Sequence, residues 1–587
     1  MPSRLLLSVL IILVAAGAQA LDRETRLVSP IHSWSATDFT HFDDEWLHVK
    51  FIEGSEVRIE GQLFADDGGL ALGSVNAILA SARVLDLRPT FQGDRAHLRQ
   101  LKAAGEALSG AVGPDLSLWF DLRVAGGPGE LARMVNALNA DDAVEIAHPA
   151  AICEPAVILG DARLDAPLPA DPNTPDFTGL QGYLYDPPVG LDAPAVWAHP
   201  GGKGEAMKFI DVELCWTEDH EDFDFGQLFY VGGAGQDAGY ETHGTAVLGE
   251  IIGQNNGFGV NGFAPAIQYG VVAVTVAEWP NVPHYFQEAI DHLDTGDVWL
   301  IELQMYPPGA DATPMEWLQV NYDVIWTGCW SLGIVCIEAG ANGSQDLDSP
   351  FWGGVFDRTL RDSGAIMVGA GTPYGRVAEW FTNYGSRMDV HAWGSAIVTT
   401  GYGDLYNGGP LQTRYTDEFG GTSGASPMIT GSALCLQGIA KYYQHGPLLP
   451  HELRELLNST GVPHLDPTKE IGPRPDLEAA AAPLLDLSAA PGEGTAGGLA
   501  VTGLPNPFTQ GASIHFTLPA DGEAALSVFD VQGRCIRTMR DPGARAGANV
   551  MVWDGKDDGG RDLASGVYLF RLEAAGAARE GRLVKIR

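Results

Sequence analysis

The sequence predicts an α/β core with a mostly parallel sheet flanked by helices, preceded by a small α+β module and followed by an all-β sandwich. Three observations lead there. Between about 190 and 478, short apolar runs at 207–210, 298–303, 334–337 and 365–368 alternate with helical patterns, as buried parallel strands do. Upstream, Leu116, Leu118, Phe120, Leu122 and Val124 alternate along a strand, a helix places Leu131, Val135 and Leu138 on one face, and 144–147 returns as a strand. After an Ala/Gly-rich stretch, 514–518, 526–528 and 550–553 alternate between turn signals at Asp521-Gly522, Gln532-Gly533 and Asp558-Gly559-Gly560.

Taken in order, the chain opens with Arg4, an apolar run over 5–16 and Ala18-Gln19-Ala20, the three parts of a secretory signal, so residues 1–20 are expected to be removed. The protein is therefore expected to be secreted, extracellular or at the cell surface. No apolar run is long enough to span a bilayer comfortably, so no transmembrane segment is expected in the mature chain. Residues 21–165 form an N-terminal region whose best-patterned part is the module at about 75–155. Residues 155–190, with Pro167, Pro169, Pro172 and Pro175, read as an exposed, cleavable connector. The α/β core occupies 190–478, a linker 479–498 and the β-domain 499–587. Cys153, Cys215, Cys329, Cys336, Cys435 and Cys535 lie too far apart for a disulfide framework and read as buried free thiols.

The 587 residues are 45% apolar and carry a formal net charge of −40, which marks a globular protein that repels nucleic acid and anionic membranes. The acidic residues are spread along the chain, as on the solubilising surface of a secreted protein.

The chemistry gathers on Gly421-Thr422-Ser423-Gly424-Ala425-Ser426-Pro427, where a loop delivers a hydroxyl to the start of a buried helix. Unpaired N–H groups and the helix dipole there favour a developing negative charge. Asp211 ends the strand at 207–210, where a rigid, partly desolvated carboxylate can orient an imidazole. His243 opens a helix whose Gly244, Ala246 and Gly249 permit close packing, and Asn342 follows another apolar strand with an amide able to donate to an oxyanion. Parallel sheets place such groups together, at the carboxyl ends of their strands.

Ile210-Asp211, His243-Gly244-Thr245, Ala339-Gly340-Ala341-Asn342-Gly343 and Gly421-Thr422-Ser423-x-Ala425-Ser426-Pro427 stand in the chain order of the subtilisin-like serine proteases, which the core resembles over about 190–478. The resemblance implies Ser423 as nucleophile, His243 as general base and then acid, Asp211 as its orienter, and Asn342 with the Ser423 N–H as the oxyanion hole. The sedolisins share the Gly-Thr-Ser nucleophile but replace the histidine by carboxylates, and the intact His243-Gly244-Thr245 sets this chain apart from them. The loop from Gln254 to Pro265 is similar to the calcium loop of bacterial subtilisins. Carried over, its ligands are Asp222 and Asn256 by side chain and Gln254, Phe258 and Val260 by carbonyl, holding a structural calcium; no cofactor is implied for catalysis.

Subtilisins line the cleft with a Ser-Leu-Gly or Ser-Trp-Gly strand end. Here the stretch is Leu300-Ile301-Glu302-Leu303-Gln304-Met305, which leaves specificity open, a preference for basic side chains included. The module at 75–155 resembles the inhibitory propeptides of the family. Leu504-Pro505-Asn506-Pro507-Phe508, Asp530-x-x-Gly533-Arg534, Trp553-Asp554-Gly555 and Ser565-Gly566-Val567-Tyr568 resemble the FlgD-like immunoglobulin folds and sorting domains of secreted bacterial proteins. The expected function is a secreted serine endopeptidase made as a precursor, acting on protein or peptide substrates with its own propeptide as inhibitor. Secretion machinery or a cell surface is the expected partner of the C-terminal domain. The alternatives are a catalytically silent scaffold and an adhesion protein acting through that domain.

Overall fold

The computed structural model describes residues 26–156, 173–233, 239–274, 281–443, 445–485, 500–503, 512–518, 520–530, 534–564, 566–574 and 577–585; the expected signal, residues 157–172 of the connector, residues 486–498 of the linker and the Leu504–Phe508 motif lie outside them. The N-terminal module is built on β1 (Phe42–Phe51), β2 (Arg83–Pro89), β3 (Trp119–Ala125) and β4 (Val144–Ala151), an antiparallel sheet in the order β2-β3-β1-β4. Helices α1 (Arg95–Ser109) and α2 (Gly127–Asn139) accompany it, and α2 buries Leu131, Val135 and Leu138 as its periodicity predicts.

Two details differ from the expected boundaries. The module begins well before residue 75, because β1 is an inner strand that pairs with both β3 and β4. The alternation at 116–124 is not one strand: Asp115 accepts a hydrogen bond from the Ser117 N–H at 2.9 Å and caps a turn at Leu116–Leu118, so β3 starts at Trp119.

After the short β5 (Cys153–Pro155) comes the core. Its strands are β6 (Lys208–Glu213), β7 (Leu228–Gly233), β8 (Gln268–Ala273), β9 (Val298–Ile301), β11 (Val335–Ala339), β12 (Ile366–Gly371) and β13 (Val390–Trp393), while β10 (Leu303–Met305) leaves the sheet just beyond β9. The seven form one sheet in the order β13-β12-β11-β9-β6-β8-β7, every neighbouring pair parallel. Helices α3 (Glu241–Ile252), α4 (Gln319–Trp326) and α5 (Thr422–Tyr442) carry the rest of the machinery. The stretch expected to begin the linker is helical instead: Leu477–Ala481 is an α-helix, and Leu477, Ala480, Ala481 and Leu484 pack into the core.

The module docks on the core through apolar and ionic contacts. One apolar cluster runs from Phe51, Trp119 and Leu122 of the module to Trp299, Val320 and Ile325 of the core. Gly105 and Gly113 lie so close to Trp326 that an added Cβ would sit 2.4 and 2.3 Å from its ring. Asp323 of α4, fully buried, receives Arg26 at 2.6 Å, Lys50 at 3.1 Å, Trp119 Nε1 at 2.9 Å and Gln319 Nε2 at 2.7 Å. Arg26 and Lys50 hold its carboxyl well below the usual range against the cost of burial.

The C-terminal strands β14 (Ala500–Gly503), β15 (Ala512–Leu518), β16 (Gly522–Asp530), β17 (Cys535–Ala544), β18 (Gly547–Trp553), β19 (Gly566–Ala574) and β20 (Ala577–Lys585) form two sheets, β14-β15-β18 and β17-β16-β19-β20. Their inward residues, among them Ile514, Phe516, Leu526, Trp553 and Phe570, make a separate core, as the alternation predicts. All six cysteines are free; five are buried, and Cys535 departs from the expectation in being exposed.

Candidate active site

Ser423 is the second residue of α5 and fully buried. Gly421, which precedes the helix with φ of 91°, is required twice over: the conformation suits glycine, and a Cβ there would meet the Ala156 carbonyl oxygen at 2.9 Å and Asn342 Nδ2 at 3.4 Å. Asn342 follows β11. Its Oδ1 accepts from the Thr422 N–H at 2.9 Å and from Thr422 Oγ1 at 3.1 Å, which fixes the amide so that Nδ2 donates to the Ala156 carbonyl oxygen. Ser423 Oγ donates to the same oxygen at 2.9 Å.

That carbonyl belongs to the chain leaving the module. Strand β5 lies antiparallel to β10 with Cys153 opposite Met305, Glu154 opposite Gln304 and Pro155 opposite Leu303. The Ala156 N–H continues the ladder to the Glu302 carbonyl at 3.2 Å. The chain therefore occupies the cleft as an added strand and brings Ala156, fully buried, onto Ser423 and Asn342.

His243 lies in the first turn of α3, which rides close over the end of β6 because a Cβ on Gly244 would meet Glu213 Oε2 at 2.8 Å. The sequence reading expects Asp211 on its Nδ1. The structure places Glu213 Oε1 there instead, while Asp211 Oδ2 accepts from Trp216 Nε1 at 2.7 Å. Side chains alternate along a strand, so Asp211 and Glu213 share a face; the longer one reaches the ring and the shorter one is engaged by the indole. His243 Nε2 has no hydrogen-bond partner among the described residues. Burial pushes His243 down to about 4 and pushes Asp211 and Glu213 well above the usual carboxylate range, so the closed site resists carrying charge.

Glu302, just beyond β9, is not a specificity-pocket carboxylate. Its side chain turns under α5, where Ser426 Oγ lies 2.5 Å from Glu302 Oε1 and 2.7 Å from the Thr422 carbonyl. One hydroxyl proton is shared between these two acceptors, an arrangement that suits a neutral carboxyl better than a charged one. Burial and the nearby Asp211 push Glu302 up, in agreement. This orientation removes the basis for a basic-side-chain preference at this position.

Glu213 has a signal in the sequence, Asp211-x-Glu213 at a strand end, which puts two acids on one face. Gln304 also has a defined place: its Oε1 accepts the Asn342 N–H at 3.1 Å and so holds the backbone at Asn342.

Of the residues carried over as calcium ligands, the two that would act by side chain, Asp222 and Asn256, have their oxygens engaged by N–H donors of the protein. Asp222 Oδ1 accepts from Asn256 Nδ2 at 2.8 Å and Oδ2 from the Val260 N–H at 2.7 Å, so N–H donors stand where a cation would need free oxygens. Asn256 Oδ1 is taken by the Phe258 N–H at 3.2 Å, and Gln254 Nε2 ties the loop ends by donating to the Pro265 carbonyl at 2.9 Å. Gly259 lies against the same carboxylate, since a Cβ there would sit 2.2 Å from Oδ2. Asp222 is raised by burial to about 7.

Residues 320–482, which include Asn342 and Ser423, match the model of the subtilase family, and residues 504–578 match that of the FlgD Ig-like domain. The thermophilic serine proteinase of Bacillus sp. (strain AK1) is 29% identical over 316 residues, covering 52% of this chain and 67% of that protein. The intracellular serine protease of Paenibacillus polymyxa is 25% identical over 285 residues, covering 46% of this chain and 78% of that one. Among solved structures, fervidolysin from Fervidobacterium pennivorans, described as a keratinolytic enzyme related to subtilisin, aligns with a TM-score of 0.49 at 13% identity, covering 95% of this chain and 92% of that one.

Proposed function

We propose that this chain, a serine endopeptidase by its subtilase domain, is made as a precursor whose first substrate is its own Ala156–Val157 bond. The observation that supports this reading is the Ala156 carbonyl, presented by an added strand to Ser423 Oγ and Asn342 Nδ2 together. Ser423 Oγ attacks the carbonyl carbon and passes its proton to His243 Nε2. The tetrahedral oxyanion is held by Asn342 Nδ2 and the Ser423 N–H. Collapse breaks the bond to the Val157 nitrogen, which leaves with the proton from His243, and water then hydrolyses the acyl-enzyme by the reverse path.

In this reading Glu213 orients the His243 ring through Nδ1, and Asp211 stands beside it, engaged by Trp216. The module serves as the inhibitor: it shares an apolar cluster with the core and leaves its own carboxyl end in the cleft. The mature enzyme is exported, and among the described residues no helix is long and apolar enough to cross a membrane. The C-terminal β-domain is the element for attachment or sorting.

A fluorophosphonate probe on the purified, module-free protein tests the chemistry. Labelling at Ser423 that His243→Ala abolishes is the expected result. A folded, module-free sample that takes no label would leave a subtilase scaffold without protease activity.

A further inference from the structure

We propose that the protease selects peptides with a carboxylate at the third residue before the scissile bond, read by Tyr306 and Gln304; this rests on the protease reading above. In the cleft that position is held by Glu154, directly opposite Gln304 in the β5–β10 register. Residues directly opposite in an antiparallel pair project to the same face, so any peptide bound as a strand in this frame sets its third residue against Gln304.

The contacts are specific in polarity. Tyr306 Oη donates to Glu154 Oε1, and Gln304 Nε2 lies 3.5 Å from the same oxygen and 3.2 Å from Tyr306 Oη. The Gln304 amide is not free to turn, because its Oε1 is committed to the Asn342 N–H at 3.1 Å, which leaves the NH₂ facing the substrate. In the uncut chain Tyr306 is buried, with its ring 4.5 Å from His41 of the module and packed beside Ala312 and Ala341 of the core. Burial and the neighbouring Glu154 push the phenol above its usual range, so it remains a donor.

Two neutral donors aimed at one point favour a carboxylate over an amide, an alkyl group or an ammonium. A charge-assisted hydrogen bond is about twice as strong as a neutral one, and a lysine would face donors with a donor. The selection is local, since the chain's net charge of −40 repels an acidic peptide at long range.

The test uses the mature, module-free enzyme, its active sites counted with a fluorophosphonate, and internally quenched peptides with the core Ser-Xaa-Pro-Ala-Val. With Glu at Xaa, kcat/KM is expected to be about tenfold higher than with Ala or Lys, and Gln intermediate. Tyr306→Phe is expected to bring the Glu-to-Ala ratio close to one. Labelled enzyme that cuts all four peptides equally would overturn this inference and leave the protease reading intact, as would a Glu preference unchanged in Tyr306→Phe. Absence of both labelling and cleavage would overturn the protease reading, and this inference with it.

Discussion

Nδ1 of His243 is hydrogen-bonded to Glu213, two residues beyond Asp211 on the same face of β6. The ring is thus oriented by the second acid of a pair, and the two acids should differ in weight. Glu213→Gln is expected to lower kcat about 10³- to 10⁴-fold with little change in KM, the size of effect seen when an orienting carboxylate becomes an amide. Asp211→Asn, which keeps an acceptor for Trp216, is expected to cost about tenfold or less. Steady-state kinetics on the mature enzyme separates them, and the reverse order would return the orienting role to Asp211.

Glu302 supplies a pH dependence whose sign follows from its burial. A carboxyl raised in the folded state keeps a proton that the unfolded chain gives up above about pH 4, so stability falls as pH rises towards its folded value. Asp211, Glu213 and Glu250 act in the same direction. Asp323 and Asp362, the latter held at about 2, act oppositely: their contribution is present above about pH 4 and lost as pH falls further. Glu302→Gln keeps the shape and removes one such proton. Its melting temperature should therefore fall less between pH 5 and 8 than that of the wild type. Parallel curves would show that Glu302 ionises normally.

The docking of the module rests on Asp323, where Arg26, Lys50, Trp119 and Gln319 converge. Asp323→Ala leaves two buried cations with one carboxylate fewer, which costs about 3–5 kcal/mol when a buried pair is broken. Denaturant unfolding of the uncut Ser423→Ala precursor should show that loss, and addition of the separate module to the mature enzyme should inhibit the Asp323→Ala variant poorly. Inhibition at wild-type strength would place the holding energy in the apolar cluster instead.

Much of this was legible in the sequence because it is local. The α/β alternation, the helix carrying Leu131, Val135 and Leu138, and the helix opened by Ser423 all follow from periodicity and small residues. Other features depend on distance through space. Whether Asp211 or Glu213 reaches His243 depends on side-chain length and on Trp216, which no spacing reveals. Glu302 and Gln304 looked alike as polar residues in an apolar strand. One turns beneath the nucleophile helix, while the other joins Asn342 to Glu154. The calcium-like loop shows the opposite case: its glycines and asparagine are where the resemblance puts them, but the N–H groups of Asn256 and Val260 point at Asp222.

The most direct measurement is the N-terminus of the mature protein, read by mass spectrometry after expression in a protease-free host. Cleavage after Ala156, giving a chain that begins at Val157, is the predicted result, with Ser423→Ala remaining uncut at that bond. An intact Ala156–Val157 bond in an active enzyme, or the same cleavage in Ser423→Ala, would contradict self-processing at this bond.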